Sequence, residues 1–329
     1  MKSSFTTSNN AMFFSVKYSN LYLIFLSSFI TLFFIFCGNL FGHKTKELIL
    51  DSPFQVHKPP IQGIVFIIHG TFAHKTSWYQ PGGDFYEALK FSANKKNYKI
   101  IPFHWSGNLS DLGRIKAAHD FVKLLLEYPP ELKKIIIAHS HAGNIVFIAS
   151  QLLAQQSSKK TTRSFQRFIA RTFKTQTKKS SLAKKTVKEL LILSRMVKTL
   201  KTEPTIEITY LLGTPMSKKY EPNYTILKRI INLYSKNDCV QTICGICKRK
   251  LPLHAQTINL EIFFANNKLS VLQSPGHSQL HAPAIAYHIL NIFEELQKQK
   301  IPSWEQSNYG KEGKVVFFAD GTFPYFAAQ

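Results

Sequence analysis

The stretch IIIAHSHAGNIVF, residues 135–147, decides how the rest of the chain is read. Ile135, Ile136, Ile137 and Ala138 form a run with no polar alternation. A strand of that kind is buried on both faces, as in a parallel sheet with helices on either side. Beyond Ser140 the pattern changes, and residues 143–153 have the spacing of a helix. A residue at a sharp strand-to-helix turn stands above the sheet edge, with the helix N-terminus pointing at it. Small neighbours are needed there so that the two backbones can approach. The flanks are Ala138 and Ala142, the smallest residues after glycine, and Gly143 follows. Taken alone, such a serine also fits a helix N-cap on any α/β sheet.

The same alternation extends outward. Apolar runs at 63–68, 98–105, 134–138, 206–212, 230–234 and 258–265 predict strands, and 315–318 a late one. Helical spacing appears at 85–91, at 112–128 up to Pro129 and Pro130, and in an amphipathic closing segment at 284–297. The expected fold class is α/β, a doubly wound and mostly parallel sheet. We divide the chain into a leader, 1–44, an α/β domain, 45–300, and a C-terminal tail, 301–329. A basic helical cap insertion occupies 155–203.

That insertion carries fourteen lysines and arginines between Lys159 and Lys201, against the single acid Glu189. Phe165, Phe168, Ile169 and Phe173, then Leu190, Leu191, Leu193 and Val197, give it helix-compatible apolar faces. Basic amphipathic helices suit an anionic lipid surface. A solvated face or phosphate contacts to nucleic acid are the alternatives, with nucleic acid the least expected. The whole chain is basic too, with a formal charge of +23, which favours anionic partners without specifying a fold. Residues 21–41 contain no charged side chain and are long enough to cross a bilayer. The expectation is a membrane-associated protein with one N-terminal anchor, or one exported through a signal segment.

Four cysteines do not make a disulfide framework. Cys37 lies in the apolar segment. Cys239, Cys244 and Cys247, with His254, form C-x4-C-x2-C-x6-H, which fits a stapled loop or simply unpaired thiols. No metal and no cofactor is expected.

Ser140 gains weight from its company. Acyl transfer needs a second oxyanion donor besides the N–H of the residue after the nucleophile. His69-Gly70-Thr71-Phe72, after the first clear strand, offers the Thr71 N–H to act with that of His141. An acid and a base should follow the serine in that order. Asp238 follows the 230–234 strand, and His277 follows Gly276 just before the closing helix. His281 is the rival base, and with His277 it could form an H-x-x-x-H metal pair. Asp111 and Asp120 precede the serine and are weaker candidates for the acid. His139 and His141 would line the site, and Gly82, Gly83 and Asp84 would shape its mouth.

From 63 to 296 the chain resembles serine esterases and lipases of the α/β-hydrolase fold. The pieces that carry the resemblance are FIIHGTF (66–72), FHWSGN (103–108) with Arg114, AHSHAGN (138–144), LLGTP (211–215), YSKNDCVQ (234–241) and PGHSQLH (275–281). Bacterial members similar to it have G-H-S-H-G-G-N at the serine. The resemblance implies Ser140 as nucleophile, His277 as base and Asp238 as acid. It implies hydrolysis of a carboxylic ester, expected to be a lipid or acyl ester, through an acyl-enzyme. The departures are the two alanines and the basic insertion, which stands where such enzymes carry a lid. The reading from another class is a non-catalytic, membrane-tethered protein that binds anionic lipid or nucleic acid through the insertion.

Overall fold

The structure is a computed structural model. It describes residues 60–154, 181–199, 204–217, 219–241, 247–265, 272–298, 311–318, 322 and 324–328.

Strand β1 (Gly63–Ile68) leads through helix α1 (Asp84–Lys95) to β2 (Tyr98–Phe103). Helix α2 (Asp111–Leu126) then leads to β3 (Lys133–His139), and α3 (Ala142–Leu153) follows the serine. After α4 (Ser181–Lys198) come β4 (Ile208–Leu212), β5 (Ile230–Tyr234), β6 (Thr257–Ala265) and the short β7 (Leu272–Gln273). A 3-10 turn (His277–His281) precedes α5 (Pro283–Ile289) and α6 (Ile292–Lys298), and β8 (Lys311–Phe318) and β9 (Tyr325–Ala328) follow.

The sheet order is β2-β1-β3-β4-β5-β6-β8-β9, with β7 pairing β6 off that path. Neighbours from β2 through β8 are parallel, while β7 and β9 pair antiparallel. Each of β1 and β3 therefore sends its chain in an opposite direction across the sheet. The gap between their C-terminal ends is the topological switch point, where open α/β sheets bind ligands. Ile68 of β1 lies opposite Ala138 of β3, so the loop that starts at His69 meets the turn at Ser140. This is a doubly wound sheet of the α/β-hydrolase type.

The apolar runs of β1 and of Ile135–Ala138 in β3 are unbroken because both faces of the sheet are covered. Ile64, Phe66, Ile68, Ile136 and Ala138 pack against α2, α3 and α4. Val65, Ile67, Ile135, Ile137, Tyr210 and Leu212 pack against α1, α5 and α6. Helix α2 starts where Ser110 accepts a hydrogen bond from the Gly113 N–H at 3.0 Å, a side-chain cap that satisfies an otherwise unpaired donor.

Two expectations change in detail. The closing helix is two short helices with a break at Leu290 and Asn291, where the Asn291 N–H bonds the His288 carbonyl at 2.8 Å. The late strand is longer than 315–318 and extends the sheet, running parallel to β6 from Lys311. Of the basic insertion, the described part is α4, whose Leu190, Leu193 and Val197 are buried in the core with α2 and α3. Residues 155–180, with the Phe165 to Phe173 face, lie outside the described residues.

The membrane expectation is corrected. Among the described residues no helix is long and apolar enough to cross a membrane. The stretch at 21–41 that carried the expectation lies outside the described residues, so neither an anchored nor an exported location has structural support.

Candidate active site

Ser140 sits at φ 58°, in the left-handed region. For a residue with a Cβ this conformation costs about 1–2 kcal/mol, and it persists only where the surroundings over-determine it. Here the Ser140 N–H is held by the Leu212 carbonyl at 2.8 Å, and the Ser140 carbonyl accepts from the Gly143 N–H at 3.1 Å. The turn is thus tied to β4 on one side and to α3 on the other.

Ala138 and Ala142 are both fully buried in the core. The close approaches fall on two other glycines. A Cβ on Gly143 would stand 2.3 Å from Thr214 Oγ1, and one on Gly70 would stand 2.7 Å from Ser140 Cβ. Gly143 lets α3 pass Thr214, and Gly70 lets the loop after β1 reach the serine. The small residues that matter lie one position beyond the expected flank and on the facing loop.

That facing loop is built from His69. Its Nδ1–H donates to the Gly70 carbonyl at 2.8 Å, and its Nε2 accepts from the Trp105 N–H at 3.3 Å. The Trp105 indole N–H closes the frame on the His69 carbonyl at 2.7 Å. Burial pushes the His69 pKa down to about 4, so the ring is neutral and keeps one donor and one acceptor. Phe72 follows Thr71 with φ 62°, and its N–H is taken by the Gly107 carbonyl at 3.0 Å. Among the described residues, neither the Thr71 N–H nor the His141 N–H joins a turn or cap bond. Both flank the Gly70–Ser140 contact.

Asp238 and His277, 39 positions apart in the chain, lie in contact. His277 Nδ1 lies 2.7 Å from Asp238 Oδ2. The Asp238 side chain is fully buried and that of His277 is 19% exposed. A carboxylate only accepts, so Nδ1 carries the proton and Nε2 is left as the basic nitrogen. Gly213, at φ 63°, leaves them room. A Cβ there would stand 2.8 Å from Asp238 Oδ2 and 3.2 Å from His277 Nδ1. Asp238 Oδ1 also accepts from the Gln241 N–H at 3.3 Å.

The other candidates fall elsewhere. His281 stacks on Trp78, with ring centroids 4.4 Å apart, and burial lowers its pKa to about 4. Asp238 pairs with His277, not with His281. Asp111 joins Arg114, Lys219 and Tyr220 at the start of α2. Burial opposes its ionisation, but those three hydrogen bonds prevail and hold its pKa at about 2. Asp120 contacts His119 and Lys116 along α2. His141 caps α3 and is brought to a pKa of about 4 by burial, then by Arg114 and His277. Gly83 packs on the Ser77 backbone and the Gly82 N–H bonds Glu87, so with Asp84 they build the start of α1. Among the described residues no group of three metal-ligating side chains forms. Cys244 lies outside the described residues.

The sequence offered His139 as a lining residue and Gly213 only as part of LLGTP, and it did not single out Trp78. His139 is buried, its Nε2 lies 3.1 Å from the His277 carbonyl oxygen, and Nδ1 has no partner among the described residues.

No protein-family model and no curated protein matches the chain. Among solved structures it is similar to esterase B from Lactobacillus rhamnosis, at 10% identity and a TM-score of 0.30, over 80% of this chain and 67% of that one. An acetyl xylan esterase shares 13% identity at a TM-score of 0.32, over 73% of this chain and 99% of its own. A thioesterase of prodiginine biosynthesis from Streptomyces coelicolor shares 11% at 0.22, over 51% and 75%. The fold assignment rests on the strand order and the turns described above, not on these likenesses.

Proposed function

We propose that the protein is a serine hydrolase that cleaves a carboxylic ester through an acyl-enzyme. One observation carries the reading: a part-buried Asp238–His277 pair at 2.7 Å, together with a serine held in a left-handed turn at the switch point of the sheet.

In this reading Ser140 Oγ attacks the ester carbonyl while His277 Nε2 takes its proton. Asp238 keeps the imidazole in the Nδ1–H tautomer and stabilises the imidazolium that forms. The Thr71 and His141 N–H groups bind the oxygen that becomes negative. His277 then returns the proton to the departing alkoxide, leaving Ser140 acylated. Water, with its proton drawn off by His277, adds to the acyl carbonyl. The acid leaves and Oγ regains its proton.

An apolar acyl group fits the rim. Phe72 is 74% exposed one residue from the Thr71 donor, and Leu109 is 53% exposed beside Gly107, which holds the Phe72 backbone. Single exposed apolar residues are ordinary, but a strained, solvent-facing phenylalanine next to an oxyanion donor is not.

Initial rates on p-nitrophenyl esters of increasing acyl length test the reading. We expect turnover by the wild type, none above background by Ser140→Ala, and a fall in KM from acetate towards longer chains. A folded wild type inert on the whole series, or a Ser140→Ala variant of equal rate, contradicts it.

A further inference from the structure

The buried imidazole of His139 has no place in the chemistry proposed above, yet it touches the base. It is the last residue of β3, directly before Ser140, and 6% exposed. Its Nε2 stands 3.1 Å from the backbone carbonyl of His277, across 138 positions of sequence. A carbonyl can only accept, so Nε2 carries the hydrogen and Nδ1 does not.

The ring has little freedom to do anything else. Its centroid lies 4.7 Å from that of His277, 5.0 Å from His281 and 5.5 Å from Trp78, the last two edge-on. On the other side Nδ1 faces Gly70, whose Cβ, if it had one, would stand 3.2 Å away. One side chain therefore spans from the loop that offers the Thr71 donor to the loop that offers the base. Burial first, and then the His277 and His281 imidazoles, hold its pKa well below the ordinary histidine range. A second proton on Nδ1 would point at Gly70 with no acceptor.

We propose that His139 is a positioning residue for the base: the hydrogen bond from its Nε2 to the His277 carbonyl sets how the base loop sits above Ser140. This bond ties the first carbonyl of the 3-10 turn that carries His277 to the strand that ends at the serine. A displacement of about 1 Å at a reacting group can cost on the order of 10²-fold in rate, and a neutral ring is the right tether beside a base that must itself become cationic.

The inference rests on the serine hydrolase reading, and two measurements separate the failure of one from the failure of the other. Ester turnover by the wild type tests the reading itself. On active protein, His139→Phe keeps a ring and removes the donor, whereas His139→Gln keeps an N–H at a similar reach. We expect the Phe variant to lose at least about tenfold in kcat with KM unchanged, and the Gln variant to recover most of that loss. Equal activity of the Phe variant and the wild type overturns the proposal. So does an equal loss in both variants with a matching drop in melting temperature, which marks a merely structural ring. The native protein supplies a check that needs no variant. Imidazole nitrogen NMR should show His139 as the Nε2–H tautomer, unchanged between about pH 5 and 8, the range in which an ordinary histidine titrates. An Nδ1–H tautomer there overturns the proposal even if the reading of the enzyme stands.

Discussion

The two ends of β3 carry buried ionisable side chains with opposite surroundings. At the start, Lys134 is 1% exposed, and its ammonium donates to the Pro129 carbonyl at 2.6 Å and the Leu132 carbonyl at 3.4 Å. It ties down the turn that follows α2. At the other end, His139 and Ser140 are buried and under tension: Nδ1 of His139 has no partner among the described residues, and Ser140 is strained. Buried polar groups are almost always satisfied, and exceptions gather where a site must act. The strand is anchored at one end and poised at the other.

Substitutions at the two ends should therefore fail differently. The largest effect is expected at the poised end. Ser140→Ala should lower kcat at least about 10⁴-fold, with the melting temperature nearly unchanged, because alanine keeps the left-handed strain. Ser140→Gly should be equally inactive but more stable, by up to about 1 kcal/mol. Thermal melts of the two variants check this, and a Gly variant that melts below the Ala variant would mean the turn is not strained. Asp238→Asn should lower kcat about 10⁴-fold, as a wrong tautomer of the base does in other triads. Steady-state kinetics on one ester measures it, and a loss below tenfold would separate Asp238 from the chemistry.

Gly213→Ala sits between the two kinds of failure. Its Cβ would press on Asp238 and His277 from a left-handed position, so we expect a loss of at least about tenfold in kcat and about 1–3 kcal/mol of stability. Lys134→Met, at the anchored end, should cost about 1–3 kcal/mol for the lost ammonium bonds to the Pro129 and Leu132 carbonyls, while kcat stays at the wild-type value. A catalytic defect there with normal stability would erase the distinction between the ends.

The pH dependence follows from the neutral histidines around the site. His69, His141 and His281 have folded pKa values of about 4, lowered from 6.5 chiefly by burial. Between those values the unfolded chain binds more protons than the folded one, so stability rises with pH. Stability should fall as the pH drops from about 6.5 towards about 4, by on the order of a few kcal/mol in total, and the melting temperature should fall with it. A flat profile across that window would mean the rings are not held neutral.

Much of this was legible in the residues. Runs such as Gly63–Ile68 and Ile135–Ala138 are apolar throughout because both faces of the sheet are covered, and the turn residues stand beyond them. Asp238 and His277 could be ordered along the chain, and the structure then separates His277 from His281 by placing only the first on Asp238. What stayed hidden depends on contacts between distant positions. The His139 bond to His277, the Trp78 stack on His281 and the space kept by Gly213 have no local signature. The break at Leu290 and Asn291 also escapes, since no glycine or proline marks it. Gly143 was legible as a source of room beside Ala138 and Ala142, whereas the close approach of Gly70 to Ser140 was not.

The central claim is that Ser140 is a nucleophile activated by His277 and Asp238. Treating the folded protein with a fluorophosphonate and mapping the adduct by peptide mass spectrometry tests it most directly. The account predicts one adduct, on the peptide that contains Ser140, formed rapidly by the wild type and at least about 10³-fold more slowly by Asp238→Asn. An adduct elsewhere, or none on a protein shown to be folded, would contradict it.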